Sequence, residues 1–141
     1  MTFEELEREL PNGFHDAHLL SLSVDYVSGT AELRMDLLFG TPESADPEEY
    51  RAAVLRITGI HFFSIDPPDS TYSFVPDGRP LWLLGGEAKS DPLPGFDKLM
   101  AKLPKEVSCF RFFVDQWNSF IHIAARDVQF SWLNVDGPGE V

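Results

Sequence analysis

Leu20-Ser21-Leu22-Ser23-Val24-Asp25-Tyr26, then Ser28-Gly29, then Ala31-Glu32-Leu33-Arg34-Met35-Asp36-Leu37-Leu38-Phe39, is the stretch whose reading decides the fold. Apolar residues recur every second position on both sides of a glycine turn, which is the period of half-buried strands rather than of a helix. With Ser28-Gly29 as the turn, Val24 faces Leu33, Leu22 faces Met35 and Leu20 faces Leu37. Both apolar sets then lie on one face, as a hairpin with one buried side requires.

Working outward, Thr2 and Glu5 fit a capping box, and Phe3, Leu6 and Leu10 share one helical face, so a short helix is expected over Thr2–Leu10, ended by Pro11-Asn12-Gly13. Downstream, Thr41–Glu49 reads as a solvated acidic loop, and Arg51–Ile65 as a long strand stopped by Asp66-Pro67-Pro68-Asp69. Phe74–Leu84 holds one or two short strands, Leu84-Gly85-Gly86-Glu87 a turn, and Asp91–Pro104 a loop with a helical turn near Phe96–Lys102. Val107–Val114 and Phe120–Leu133 form a second hairpin joined through Asp115-Gln116-Trp117-Asn118-Ser119. Pairing Val114 with Phe120 puts Phe112 opposite His122 and sets Cys109 on the other face. Both faces are then largely apolar, which suits the middle of a layered sheet. The tail 135–141 reads as frayed. The expected fold is α+β and β-rich, with six or seven antiparallel strands in a sandwich or strongly bent sheet and one N-terminal helix, in a single domain 1–141.

The chain has 141 residues and a formal charge of −12. Acids concentrate early: residues 1–70 hold 14 acids and 4 bases, a net −10, whereas 71–141 hold 9 acids and 7 bases. A phosphate surface must be met by clustered Lys and Arg, so nucleic acid and anionic membrane are disfavoured and a basic protein is the partner this charge suits. Oligomeric state is not encoded in any pattern here. With Cys109 as the single cysteine, an acidic start without an export signal and no membrane-length apolar run, a cytoplasmic protein is expected.

His15-Asp16-Ala17-His18 is the most chemical-looking string. Two imidazoles and a carboxylate are metal ligands or an acid/base pair by type, yet strand phase turns His15 away from Asp16 and His18. No metal or other cofactor is therefore expected, and the bland reading pairs Asp16 with His18 at the end of the hairpin. His61 and His122 are expected to pack beside aromatics, and Cys109 to be an inert thiol in an apolar strand. The glycines of Leu84-Gly85-Gly86-Glu87 and Gly137-Pro138-Gly139 have neither the lysine nor the spacing of a phosphate loop. For protein binding the candidates are Trp117 and Asn118 at a hairpin tip, as an anchor or folded back over the sheet edge, and Glu43, Asp46, Glu48 and Glu49 as a steering field.

Leu10-Pro11-Asn12-Gly13-Phe14-His15-Asp16-Ala17-His18-Leu19, together with Phe112-Phe113-Val114-Asp115-Gln116-Trp117-Asn118, resembles a group of small uncharacterised bacterial proteins that open with Phe-His-Asp-Ala/Ser. These are similar, more distantly, to immunity proteins of polymorphic toxin systems. The resemblance implies an α+β or β-rich bacterial domain rather than an activity, the more distant likeness to immunity proteins implies a cytosolic inhibitor that binds one toxin, and no catalytic residues come with either. Two readings follow: a non-catalytic binding module for a basic protein, or a small metal-dependent or acid/base enzyme centred on His15, Asp16 and His18.

Overall fold

Residues 1–71, 78–88 and 101–133 are described by the structure, a computed structural model. Helix α1 spans Phe3–Glu9. Its start is the expected capping box: the Glu5 backbone N–H donates to the Thr2 hydroxyl and the Thr2 N–H donates to the Glu5 carboxylate, each at 3.1 Å. Six antiparallel strands follow, β1 Ala17–Asp25, β2 Thr30–Leu38, β3 Tyr50–Ile65, β4 Leu81–Ala88, β5 Ser108–Val114 and β6 Ser119–Trp132. They close in the order β1-β2-β3-β6-β5-β4, with β4 returning to β1. The expected sandwich or bent sheet is thus a closed barrel, which leaves fewer edges to protect than an open sheet. The closing seam is short, Ala17–Leu19 against Leu81–Leu83.

The first hairpin forms where the alternation places it but in another register. Val24 faces Ala31 and Leu22 faces Leu33, and a bulge at Leu20 then shifts the phase so that Leu19 faces Met35. The bulge reverses which side chains point inward. Ala17 and Leu19 are buried, whereas Leu20, expected in the core, is 52% exposed.

The second hairpin is displaced by one residue from expectation. Val114 pairs with Ser119, Phe112 with Ile121 and Arg111 with His122, because Asp115–Trp117 form a 3-10 turn and Asn118 takes a left-handed φ of 48°. Phe110, Phe112, Val114, Ile121 and Ile123 accordingly share the buried inner face. Arg111, Phe113, Phe120 and His122 take the outer one, and by the same register Cys109 lies on the side of His122 rather than opposite it. Burial pushes the Cys109 thiol up, away from the reactive thiolate.

Leu84-Gly85-Gly86-Glu87, expected as a turn, lies within β4, with a bulge between Leu83 and Gly85. Of the expected strands in Phe74–Leu84, residues 72–77 lie outside the described residues, as do the loop residues 89–100 and the tail 134–141.

Inside the barrel the side chains are close-packed and aromatic at the end covered by α1. Phe3 stacks on Phe110 at 5.1 Å, and Phe14 meets Phe112 edge-on at 5.1 Å. Leu6 and Phe14 are almost wholly buried with them. The helix packs on β4, β5 and β6 and puts Glu7 partly under cover, so burial raises the Glu7 carboxyl above its usual range. The raised acid carries a cost only when ionised, so the cost is absent below pH 4.5 and present at neutral pH. Glu7→Gln is therefore expected to stabilise the fold at pH 7 by about a few tenths of a kcal/mol, a small figure because solvent still reaches the group. Urea unfolding at pH 7 and pH 3.5 checks this, the gain vanishing in acid.

Candidate functional site

The turn 11–16 brings His15 and Asp16 to the closing seam, and several hydrogen bonds fix it. The Asn12 side-chain amide donates to the carbonyls of Leu38 at 2.9 Å and Gly40 at 2.7 Å, tying the turn to the end of β2. Asp16 adopts a left-handed φ of 60°, which an Asp tolerates better than most residues. Its backbone carbonyl accepts the Tyr50 hydroxyl at 3.0 Å, and its Oδ1 accepts the Trp82 indole N–H at 2.9 Å.

Asp16 therefore does not pair with His18 as expected. The His18 ring instead lies flat on Tyr50, 4.6 Å between centroids and 13° between planes. On the seam His18 is the cross-strand partner of Trp82 on one side and of Asp36 on the other. His15 is exposed, its Nδ1 3.7 Å from Asp16 Oδ1. The three residues of the acid/base reading thus do not converge: His18 stacks on the phenol ring apart from the other two, whereas His15, expected to turn away from Asp16, lies beside the carboxylate oxygen that accepts the Trp82 indole N–H. Among the described residues no group of three or more His, Cys, Asp or Glu is placed to hold a metal ion.

What gathers at this seam is an exposed aromatic surface bordered by carboxylates. Trp82 is 44% exposed and Tyr50 37%. Burial pushes the Tyr50 phenol above its usual range, and the charges of Asp16, Glu48 and Asp36 push it the same way, which places all three carboxylates in its electrostatic reach. Trp82 and Tyr50 were missing from the residues singled out in the sequence. The signal for Trp82 was available in Leu81-Trp82-Leu83-Leu84: if Leu81 and Leu83 point into the core, Trp82 and Leu84 must point out.

Trp117 is not a free apex. It is half-buried against the core, and its carbonyl accepts the Asp69 N–H at 2.8 Å. With Leu20, Leu22, Ile65 and Leu81 it lines an apolar groove of roughly 350 Å³. The neighbouring Gln116 side chain accepts the Trp82 backbone N–H at its Oε1 at 2.8 Å while its Nε2 donates to the Pro80 carbonyl, so this turn clamps the start of β4. Asn118 donates to Asp69 at 3.0 Å. The Thr71 N–H, the Thr71 hydroxyl and this amide together hold the Asp69 carboxyl below its usual range.

The four acids of the loop have divided roles. Glu49 pairs with Arg51 at 2.5 Å, and Asp46 accepts the Glu48 N–H at 3.1 Å, shaping the turn. Glu43 and Glu48 are exposed with no side-chain ion pair among the described residues. His61 is exposed at a bulge in β3, whereas His122 is buried, its Nε2 2.9 Å from the Asp66 carboxylate and its ring tilted against Phe120. The Asp66 partner is an addition to the expected aromatic packing.

No protein-family model matches the chain, and no curated protein matches it. Among solved structures, an uncharacterized protein from Neisseria gonorrhoeae is similar over 82% of this chain and 90% of its own, at 16% identity and a TM-score of 0.49. No helix among the described residues is long and apolar enough to cross a membrane.

Proposed function

We propose that the chain is a non-catalytic binding module that holds a basic protein partner, in the manner of a cytoplasmic immunity-type inhibitor of a basic toxin. The observation that carries this is topological: β1, β2 and β3 are neighbours in the barrel, so residues 16–65, with eight acids and three bases, share one wall. All three bases of that wall, Arg34, Arg51 and Arg56, already pair with Glu32 or Glu49. The remaining carboxylates give the wall a net negative field, which speeds encounter with a positive surface. The exposed Tyr50 at the edge of that wall and Trp82 beside it are residue types that anchor interfaces once encounter has occurred.

The test is co-purification from lysate of the source cell at low and moderate salt, then association kinetics with the recovered protein. A basic partner is expected. Neutralising Glu43 and Glu48 to Gln should lower its on-rate several-fold with little change in off-rate, and the difference should shrink as salt shortens the screening length from about 10 Å at 0.1 M to about 3 Å at 1 M. Recovery of no basic partner at either salt would defeat the reading.

A further inference from the structure

Twice on its outer surface this barrel builds the same small assembly. Arg51 lies over the Phe39 ring at 3.5 Å while pairing with Glu49, and Arg111 lies over the Phe120 ring at 4.3 Å while pairing with Glu87. Each is an aromatic ring, a carboxylate beside it and a guanidinium satisfying both. The physical reason is that a planar guanidinium is weakly hydrated, stacks on a ring face and still directs its N–H fork at an adjacent carboxylate.

At the closing seam the same two acceptors occur without a guanidinium among the described residues, only the exposed His15 imidazole standing beside Asp16, its Nδ1 3.7 Å from Oδ1. The Trp82 indole supplies an exposed ring, and its N–H fixes Asp16 Oδ1 beside it at 2.9 Å. Asp16 Oδ2 accepts no hydrogen bond among the described residues, and no arginine or lysine among them lies over the Trp82 ring. The Asp16 side chain keeps 31% of its surface open. Asp36 and Glu48 add negative charge around the same Tyr50, and neither has a side-chain ion pair among the described residues.

Resting on the basic-partner reading above, we infer that Trp82 and Asp16 form a seat for one arginine side chain of that partner, stacked on the indole and forked to Asp16. The occupant follows from charge and shape together. Negative charge disfavours an acidic or phosphate-bearing ligand, and a second copy of this chain, with a formal charge of −12 overall, is disfavoured in the same way. Ring plus carboxylate favours arginine over lysine, whose compact, strongly hydrated ammonium neither stacks nor binds in two-pronged fashion. The prearranged Asp16–Trp82 hydrogen bond lowers the ordering cost of the contact.

The probes are hexa-arginine, hexalysine and hexacitrulline peptides, citrulline being the neutral analogue of arginine in shape. Affinity is measured by calorimetry, and the Trp82 indole N–H signal is followed by NMR. Hexa-arginine should bind more tightly than hexalysine, hexacitrulline should not bind measurably, and the Trp82 indole signal should shift on adding hexa-arginine. Trp82→Ala should weaken hexa-arginine about three- to thirtyfold, the range of one cation–π contact. Asp16→Asn keeps an oxygen for the indole N–H, so it should weaken hexa-arginine and narrow its advantage over hexalysine without unfolding the turn. Hexalysine binding as well as hexa-arginine, Trp82→Ala leaving the affinity unchanged, or no binding of hexa-arginine would each overturn the seat. In the first two cases salt-sensitive binding of both cationic peptides leaves the basic-partner reading standing. Only the absence of a basic partner in the lysate removes that.

Discussion

Replacing Phe14 by alanine is expected to cost about 3–5 kcal/mol of unfolding free energy, the range for removing a fully buried aromatic side chain. Phe14 has no exposed surface and meets three rings, Phe3 at 6.3 Å, Phe110 at 5.8 Å and Phe112 at 5.1 Å. Two elements that form no strand ladder with the barrel, α1 and the turn 11–16, are thereby held on its end. Its loss leaves a cavity the barrel cannot readily close, because β5 behind it is held by ladders on both sides. For a domain of this size the unfolding midpoint should drop by roughly 10 °C or more. The next two residues are His15 and Asp16, so the variant should also loosen the Asp16–Trp82 hydrogen bond. Thermal unfolding measures the first effect and hydrogen exchange of the Trp82 indole N–H the second. A midpoint within a few degrees of the parent would mean that the ring cluster does not hold α1 in place.

The parts of the fold legible in the sequence are those that local patterns fix. Helix α1, both hairpins and β3 announce themselves through local rules, a capping box in one case and a period of two in the others. Register did not, because three bulges, at Leu20, between Ile60 and Phe62 and between Leu83 and Gly85, each shift the inward phase where no local signal fixes it. Leu19-Leu20-Ser21-Leu22 fits either phase by composition, and only closure against Leu81–Leu83 selects the observed one. The same limit governs the site. His15, Asp16 and His18 stand out because they are polar and consecutive, yet their partners, Trp82 and Tyr50, are 66 and 34 residues from Asp16. No local spacing carries that contact; the return of β4 to β1 creates it.

Gly85-Gly86, which resembles a turn in sequence, shows the cost of closing a barrel on large rings. Gly85 sits at the bulge with φ 153°, a conformation side chains rarely adopt, and its neighbour solves a different problem. Gly86 pairs with Phe112 in β5 and faces the interior, where a Cβ would lie closer than 3.0 Å to the Phe110 ring. That ring cannot swing away, since it is stacked on Phe3 and set edge-on against Phe14 and Phe112. Gly86→Ala is therefore expected to destabilise by about 1–3 kcal/mol through overpacking, and Gly86→Val by more, although both residues suit strands better than glycine does. If the clash with Phe110 is the cause, Phe110→Leu should cost less in the Gly86→Ala background than alone, a favourable coupling readable from a double-mutant cycle in urea. Strict additivity of the two substitutions would place the strain elsewhere in β4, and a stabilising Gly86→Ala would show that the ring cluster is free to yield.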